Sequence, residues 1–309
     1  MLADLLEYDR PIQMAQALRL LSRVRPRTVP LGGATALSGG PAAGVEAVVD
    51  LGGLGLDFIR FDPDGLVIGA TTTLQALAED RTSRALWWGV IAAAAQSSAT
   101  RMLRNAATLG GTLALGSASR ADLAVVLLAL EARVRVIGLE GREHELAMAD
   151  CRDGLPTPGI LLQVQVPHPD QTGLVTGRAP SGSAVGPGRG ASFLRVARTA
   201  SDPALLHAVA VVEPCAGGGC VVRLALGGAG WAPVRLAGVE AELRGTDLAA
   251  AAVDRALDRG LEAVLPGDDF RASRRYRGAV SCVLLRRAIR QAAQRAATDR
   301  ADPSRGAAG

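Results

Sequence analysis

Two glycine-bearing stretches carry the strongest structural signal in the sequence: Leu31-Gly32-Gly33-Ala34-Thr35-Ala36-Leu37 and Arg104-Asn105-Ala106-Ala107-Thr108-Leu109-Gly110-Gly111-Thr112. Each joins an apolar segment to a bend and places a hydroxyl group beside a Gly-Gly pair. Successive backbone N–H groups in such bends can converge on an anion, and glycine admits the anion because it has no Cβ. We therefore predict that the two stretches meet and cradle the diphosphate of a dinucleotide through main-chain amides.

The overall composition excludes several functions. The 309 residues include 34 basic and 30 acidic side chains, and the net charge of +4 is too small an excess to hold a nucleic-acid backbone. Aromatic residues make up 3%, so a surface for stacking bases is lacking. Every basic residue is Arg, which rules out a catalytic lysine. Because the chain has 37 glycines, either glycine pair taken alone is also compatible with an ordinary turn.

Familiar catalytic and metal-binding motifs are missing from the sequence. The Rossmann fingerprint G-x-G-x-x-G fails, because Gly53-Leu54-Gly55 is followed by Phe58 where the third glycine belongs. No hydrolase or metalloprotease motif surrounds the three histidines, and the four cysteines form no C-x-x-C pair. These residues are His144, His168, His207, Cys151, Cys215, Cys220 and Cys282. We interpret His207 as a core residue of an apolar strand and expect no iron–sulfur cluster on this chain.

The hydrophobic pattern predicts an α+β chain in two parts. Short strands and helices alternate up to Pro167, whereas three strands and then three helical stretches occupy the rest. The segment Asp170–Arg189 is rich in Gly, Pro and Ser, which is typical of a flexible connection. The predicted domains are residues 1–169, a flexible loop over 170–190, an α+β domain over 191–297 and a disordered tail over 298–309.

The elements around the glycine stretches follow from the same pattern. Thr71–Thr73 offers capping hydroxyls to a helix that begins near Leu74. The other predicted elements are strand Thr28–Leu31, a hairpin of Phe58–Phe61 and Leu66–Gly69, helix Arg84–Gln96, a loop and strand over Asn105–Gly116, helix Asp122–Ala132, a hairpin of Arg133–Leu139 and Glu143–Leu146, strand Ile160–Val166 and helix Val234–Leu243.

Several motifs, taken in order along the chain, resemble one known family. They are Leu31–Leu37, Val48-Val49-Asp50-Leu51, Ile68-Gly69-Ala70-Thr71-Thr72, Arg104–Thr112, Asp122-Leu123, Ile160–Pro167, Phe193–Asp202 and Leu226-Gly227-Gly228. This order resembles the FAD-binding (medium) subunit of the molybdenum hydroxylases, which include carbon monoxide dehydrogenase and xanthine dehydrogenase. The resemblance implies a vanillyl-alcohol-oxidase-like (PCMH-type) FAD-binding domain of two subdomains, followed by a small C-terminal domain of an antiparallel sheet and helices.

The resemblance also implies which residues touch FAD. In the family, two glycine loops bind the diphosphate, an acid before a leucine binds the ribose or adenine end, a strand before a proline packs the flavin or adenine, and a basic residue lies near the flavin ring. The matching residues here are Gly32, Gly33, Ala34, Thr35 and Leu37, then Thr108, Leu109, Gly110, Gly111 and Thr112, and finally Asp122, Leu162 and Arg195. A cation at Arg195 would stabilise reduced, anionic flavin.

The resemblance further implies an oxidoreductase complex. A small subunit would carry two [2Fe–2S] clusters and a large subunit the molybdopterin cofactor, while FAD on this chain would pass electrons to NAD, oxygen, a quinone or another acceptor. The chain departs from the family at Ala34-Thr35, which lacks one polar side chain, and at Thr112, where the family usually has Asn. These departures motivate an alternative, a scaffold subunit that kept the fold but lost FAD. A stand-alone flavin oxidase is a third interpretation.

The sequence also predicts where the protein works. Its apolar runs stop well short of the roughly 20 residues that a membrane-spanning helix needs. The first residues carry Asp4, Glu7 and Asp9 and do not resemble a signal peptide. We therefore expect a cytoplasmic protein.

Overall fold

Three β-sheets organise the computed structural model, which describes residues 5–36, 44–116, 122–168, 188–200, 202–215, 218–228 and 231–301. The strands are β1 (Glu7–Asp9), β2 (Thr28–Leu31), β3 (Ala47–Asp50), β4 (Ile59–Asp62), β5 (Gly65–Gly69), β6 (Arg133–Gly138), β7 (Glu143–Ala147), β8 (Gly159–Pro167), β9 (Gly190–Val196), β10 (Leu206–Pro214), β11 (Cys220–Gly228) and β12 (Trp231–Arg235). The helices are α1 (Met14–Leu21), α2 (Leu74–Glu79), α3 (Arg81–Ala85), α4 (Val90–Ser97), α5 (Arg101–Ala106), α6 (Leu109–Ala114), α7 (Asp122–Ala129), α8 (Ala237–Leu243), α9 (Ala250–Gly260) and α10 (Arg274–Ala301).

The first sheet is parallel, in the order β1-β3-β2. Its central strand β3 is buried at Ala47, Val48 and Val49, which suits a strand with neighbours on both sides. Leu31 at the end of β2 pairs with Asp50 at the end of β3. The first glycine stretch therefore leaves the carboxyl edge of this sheet, where ligands commonly bind in parallel sheets.

The second sheet is antiparallel, in the order β4-β5-β8-β6-β7. It contains both predicted hairpins, which are thereby confirmed. Strand β8 pairs with β6 on one side and with β5 on the other, and the pairing with β6 shifts register at Leu162. The shift is a β-bulge, which re-aims a side chain at this point of the sheet. One face of this sheet packs against α2, α4, α6 and α7 to form the largest core.

The third sheet is antiparallel, in the order β12-β11-β10-β9, and is buried on both faces. Alternate residues of β10 point to opposite sides. Leu206 and Ala208 pack with the C-terminal helices, whereas Val209 and Val211 join the core that contains α7. The predicted sheet followed by helices is confirmed.

Helix α7 lies between the two parts of the chain. Apart from Asp122 its residues are apolar on every side, as in a helix without a solvent face. Residues of the C-terminal part reach both of its ends. His207 and Arg195 lie at Asp122 at the start, and Arg223 Nε donates to the Ala129 carbonyl at the end, at 3.1 Å.

The structure corrects two predicted elements in the N-terminal part. The predicted helix Arg84–Gln96 is broken at Trp87–Gly89, where three consecutive residues have positive φ angles of 51°, 58° and 70°, a left-handed conformation that cannot continue a right-handed helix. The predicted loop and strand over Asn105–Gly116 is instead the end of α5 and the whole of α6.

Two further corrections concern the C-terminal part. Val234 belongs to β12 and pairs with Leu226, so the next helix starts only at Ala237. Helix α10 continues to Ala301, past the predicted start of the tail at residue 298. Most of the predicted loop, residues 170–187, and the tail beyond Ala301 lie outside the described residues, so the flexibility of the loop and the disorder of the tail remain untested predictions. None of the helices in the described part of the chain combines the length and the apolar character that a membrane-spanning segment requires.

Candidate functional site

The two glycine stretches meet in the structure, as predicted. A Cβ added to Gly33 would overlap the carbonyl oxygen of Ala106, and one added to Gly32 would lie 2.5 Å from Thr108 Oγ1. The first loop can therefore approach the backbone of the second this closely because Gly33 has no Cβ, and the missing Cβ at Gly32 leaves room for the Thr108 side chain. This approach places the carboxyl edge of the parallel sheet beside the start of α6.

The first loop has backbone donors to offer. Among the described residues, no group accepts a hydrogen bond from the amide of Gly32 or Gly33, and Gly32 is exposed. The next residue, Ala34, has a φ of 58°, which turns the chain into the left-handed region. Thr35 follows in the same turn, whereas Leu37 lies outside the described residues. Free amides beside a turn of this kind fit the oxygens of a diphosphate.

The second loop is the first turn of a helix, which the sequence pattern did not indicate. Thr108 caps α6, since its Oγ1 accepts from Gly111 N at 3.2 Å. The amides of Leu109, Gly110 and Thr112 also donate to protein carbonyls. Among the described residues, the amide of Thr108 is therefore the one amide of the second loop that has no acceptor. This differs from the predicted pair of equivalent donor loops: the first loop offers the donors and the second supports them.

Leu162 is connected to the second loop through Ala70. The carbonyl of Leu162 accepts from Ala70 N at 3.0 Å, and the carbonyl of Ala70 accepts from Gly110 N at 2.8 Å. A Cβ on Gly110 would lie 2.9 Å from that same Ala70 oxygen, so glycine allows α6 to start close to the sheet. Leu162 is half-buried at the bulge of β8 and packs against the small core that includes Leu18 and Leu21 of α1, so its predicted contact with the flavin or adenine stays a prediction.

Asp122 and Arg195 contact each other, and the hydrogen-bond partners of both side chains lie outside the first loop. Asp122 Oδ1 accepts from Ser97 Oγ at 2.9 Å and lies 3.3 Å from Arg195 Nε. Arg195 also donates from Nη1 to the Ala200 carbonyl at 2.9 Å and from Nη2 to the Asp202 carbonyl at 2.6 Å. The predicted contacts of Asp122 with the ribose and of Arg195 with the flavin stay predictions, and the structure shows both side chains engaged within the protein.

His207 completes this buried cluster and was not expected there. Its Nε2 lies 3.1 Å from Asp122 Oδ1, although neither ring nitrogen makes a well-aligned hydrogen bond. The side chains of His207 and Asp122 are each 1% exposed. Burial alone would raise the pKa of the Asp122 carboxyl, but His207, Arg195 and Ser97 outweigh it and lower that pKa. Asp122 is thus an ionised carboxylate inside the protein.

Arg104, part of the motif at the second loop, holds the segment before that loop. Its Nε donates to Gln75 Oε1 at 2.8 Å, and its Nη1 donates to the carbonyls of Gln96 and Ala99. Arg104 belongs to the sequence motif Arg104–Thr112, but the motif does not indicate what its side chain contacts. A basic residue in a glycine motif offers no signal that distinguishes a scaffold role from a ligand role.

These features, two glycine loops that meet between a parallel and an antiparallel sheet, are those that we expect of a dinucleotide-binding protein. The family described as the FAD binding domain in molybdopterin dehydrogenase matches residues 4–169, more than half of the chain. The CO dehydrogenase flavoprotein C-terminal domain matches residues 191–292. The chain belongs to the FAD-binding family of the molybdopterin dehydrogenases; it is an oxidoreductase subunit, and FAD is its cofactor.

Two known proteins match this chain along nearly their whole length. The chain is 27% identical over 304 residues to the nicotine 6-hydroxylase medium subunit of Paenarthrobacter nicotinovorans, covering 94% of this chain and 98% of that protein. It is 29% identical over 300 residues to the carbon monoxide dehydrogenase medium chain of Afipia carboxidovorans, covering 94% and 97%.

Solved structures share the fold. A reconstituted CO dehydrogenase from Oligotropha carboxidovorans superposes with a TM-score of 0.77 at 26% identity, covering 94% of this chain and 98% of that chain. Quinoline 2-oxidoreductase from Pseudomonas putida 86 superposes with a TM-score of 0.77 at 23% identity, covering 94% and 97%, which supports the fold alone. The predicted fold class is confirmed.

Proposed function

We propose that this chain is the FAD-carrying electron-transfer subunit of a molybdenum-containing hydroxylase complex. In this proposal a small partner subunit carries [2Fe–2S] clusters and a large partner carries the molybdopterin cofactor. Bound FAD would supply the redox step between those clusters and an external acceptor such as NAD, oxygen or a quinone. The names of the two curated relatives, medium subunit and medium chain, support a multi-subunit assembly.

One observation carries the proposal on this chain: the contact of Gly33 with the Ala106 carbonyl, beside the unused amides of Gly32 and Gly33. The donors are backbone groups, so they persist although Ala34 lacks a polar side chain. A hydrogen bond to a charged group contributes about 1.5–3 kcal/mol, so a few amides suffice for tight binding of a diphosphate. In this proposal Thr108, the cap of α6, and Thr112, within α6, face the diphosphate from the other side.

The remaining assigned residues have supporting roles in this proposal. Leu162 is half-buried at the bulge of β8, and the part of its side chain that stays exposed would pack against the flavin or adenine. Arg195 brings a positive charge to the junction between the domains, where it would favour a reduced, anionic flavin. Asp122 keeps that arginine in place by its ionised carboxylate.

A titration of FAD into the purified full-length chain tests cofactor binding. Flavin fluorescence should be quenched with saturation at one FAD per chain, and denaturation should release the flavin. A chain that leaves FAD fluorescence unchanged would support the alternative, a scaffold subunit without flavin.

A second experiment tests the electron route. The chain is purified together with its partner polypeptides, and substrate of the complex is added without an external acceptor. Oxidised-flavin absorbance should bleach, and adding the acceptor should restore it. Retention of full flavin absorbance while the iron–sulfur signals become reduced would contradict the proposed route.

A further inference from the structure

Helix α10 buries one side in the protein and leaves the opposite side in solvent. Leu285 and Ala288 on the inner side are fully buried in the core that the helix shares with the third sheet. Residues three, four or seven positions apart share one face of a helix. The exposed residues at this spacing on the opposite side, which we call the outer face of α10, are Tyr276, Val283, Arg287 and Arg290.

The outer face carries positive charge that the chain does not neutralise. Arg287 and Arg290 form no ion pair with any described residue, whereas their neighbour Arg286 lies 2.6 Å from Asp254 of α9. The sequence of α10 contains one acidic residue, Asp299, at its far end. Exposed arginines beside aromatic and aliphatic side chains are typical of a protein–protein interface. The unpaired charges indicate that the opposing surface is acidic.

The loop that leads into α10 holds a large apolar ring in water. Phe270 is 83% exposed, and the guanidinium carbon of Arg271 lies 4.3 Å from its ring centroid. The loop is fixed from inside by Arg277, which is 3% exposed and donates to two loop carbonyls at 2.9 Å and to Asp269 Oδ1 at 2.7 Å. A ring on a fixed loop loses little further freedom on binding, so its burial in a partner favours association.

We propose that the outer face of α10, together with Phe270, docks an acidic protein surface on a partner subunit of the complex. The inference rests on the proposed function, because that function supplies the partner subunits. Arg287 and Arg290 would attract the acidic surface and set its orientation. Phe270 would enter an apolar pocket of the partner, as the aromatic residue at the centre of an interface does.

The same features disfavour three other occupants. A helix that lies on a membrane sinks a broad apolar face into the lipid, but the broad apolar side of α10 is buried in the protein core. A symmetric contact with a second copy would bring Arg287 and Arg290 close to their own counterparts, which repel them. The net charge of +4 is too small to hold a nucleic-acid backbone.

The test measures binding of the full-length chain to the small and large subunits, which are co-expressed and purified without it, by biolayer interferometry. Phe270→Ala should weaken binding roughly 30-fold, the ratio that corresponds to about 2 kcal/mol. Arg287→Glu combined with Arg290→Glu should weaken binding by more than about tenfold at low salt. This second loss should shrink as NaCl is added, because salt screens exposed charges.

A matched control makes the same change in net charge elsewhere on the surface. Arg19 of α1 and Arg81 of α3 are exposed, and neither forms an ion pair with a described residue. Arg19→Glu combined with Arg81→Glu should therefore bind the subunits like the wild type. The melting temperature and the FAD affinity of every variant should stay close to wild type, because all the substituted side chains are exposed.

The outcomes separate docking from the cofactor function. If both α10 variants bound the subunits as tightly as the control variant, the docking role would be overturned and the FAD function would be unaffected. A wild-type chain that is a dimer by light scattering and becomes a monomer in Phe270→Ala would assign the face to a second copy and overturn the proposal. Flotation of the wild-type chain with phosphatidylglycerol vesicles, lost in the charge-reversed variant, would overturn it in favour of a lipid surface.

The proposed function has its own readout in the same experiment. A wild-type chain that binds the subunits through this face but carries no FAD would refute the electron-transfer role and leave the docking surface standing. A wild-type chain that binds FAD but neither subunit would overturn the docking surface.

Discussion

Replacing Gly33 with alanine perturbs the meeting point of the two loops most directly. The added Cβ would overlap the Ala106 carbonyl oxygen and lie 3.0 Å from the Ala107 nitrogen. Both are backbone atoms, and Ala107 N donates to the Leu103 carbonyl at 2.7 Å, so neither can rotate away. The loops would have to separate by roughly 1–2 Å to restore a carbon–oxygen distance of about 3.3 Å.

This separation should cost both stability and affinity. Overpacking of a close contact lowers the free energy of unfolding by about 1–3 kcal/mol. Moving the amides of Gly32 and Gly33 away from the diphosphate sacrifices at least one charge-assisted hydrogen bond. Losing one such bond should weaken FAD binding by roughly 10- to 150-fold.

The assay combines a fluorescence titration with FAD and a denaturant unfolding curve for each variant. Gly267→Ala is the matched control, since it also lies in a loop and nothing is within 4 Å of its added Cβ. Gly32→Ala should be milder than Gly33→Ala, because its Cβ meets the side chain of Thr108 rather than backbone, and displacing that hydroxyl costs only the cap of α6. If Gly33→Ala bound FAD as tightly as Gly267→Ala, the reasoning from the loop contact would be refuted.

Three further substitutions test other parts of the structure. Ala34→Asn should raise the free energy of unfolding in denaturant by up to about 1 kcal/mol, because Ala34 has a φ of 58° and Asn tolerates the left-handed region; an unfolding free energy at or below that of the wild type would contradict it. Thr108→Val removes the cap of α6 and should cost about 0.5–2 kcal/mol of unfolding free energy in denaturant; unchanged stability would show that the cap contributes nothing. Burial would raise the pKa of Asp269, but hydrogen bonds from the Ala272 amide and Arg277 hold it to about 2. This stabilisation is present above the unfolded pKa of about 3.9 and is lost as pH falls through about 2, so Asp269→Asn should lower the melting temperature at neutral pH and match the wild type below pH of about 2.

The convergence of the glycine loops was predictable from sequence, whereas the conformation of the second loop was not. Paired glycines beside hydroxyls indicate a close backbone approach in either loop. Glycine is a poor helix former, so Gly110 and Gly111 favoured a loop over a helix. The helix forms because Thr108 caps it and because Leu109 and Leu113 are buried in the core. Tertiary burial here outweighs local propensity.

The buried cluster around Asp122 lay beyond the reach of sequence reasoning for a different reason. His207 sits in an apolar alternation that is typical of a core strand, and the structure confirms that it is buried. Its partner is set by the packing of α7 on β10, which brings together residues far apart along the chain. No local spacing records such a pairing. The alternation indicated that His207 is buried but not what it contacts.

The packing of α7 has a consequence for how this protein can be divided. One family matches residues 4–169, before the connecting segment, and another matches residues 191–292, after it, so the chain looks modular by sequence. Yet Val209 and Val211 from one half complete the core of the other, and Arg223 closes the last turn of its central helix. A fragment that ends at the connecting segment would expose the apolar surface of α7. It would also leave the Asp122 carboxylate without Arg195 and His207. The boundary between the two family matches therefore crosses a hydrophobic core to which both parts of the chain contribute.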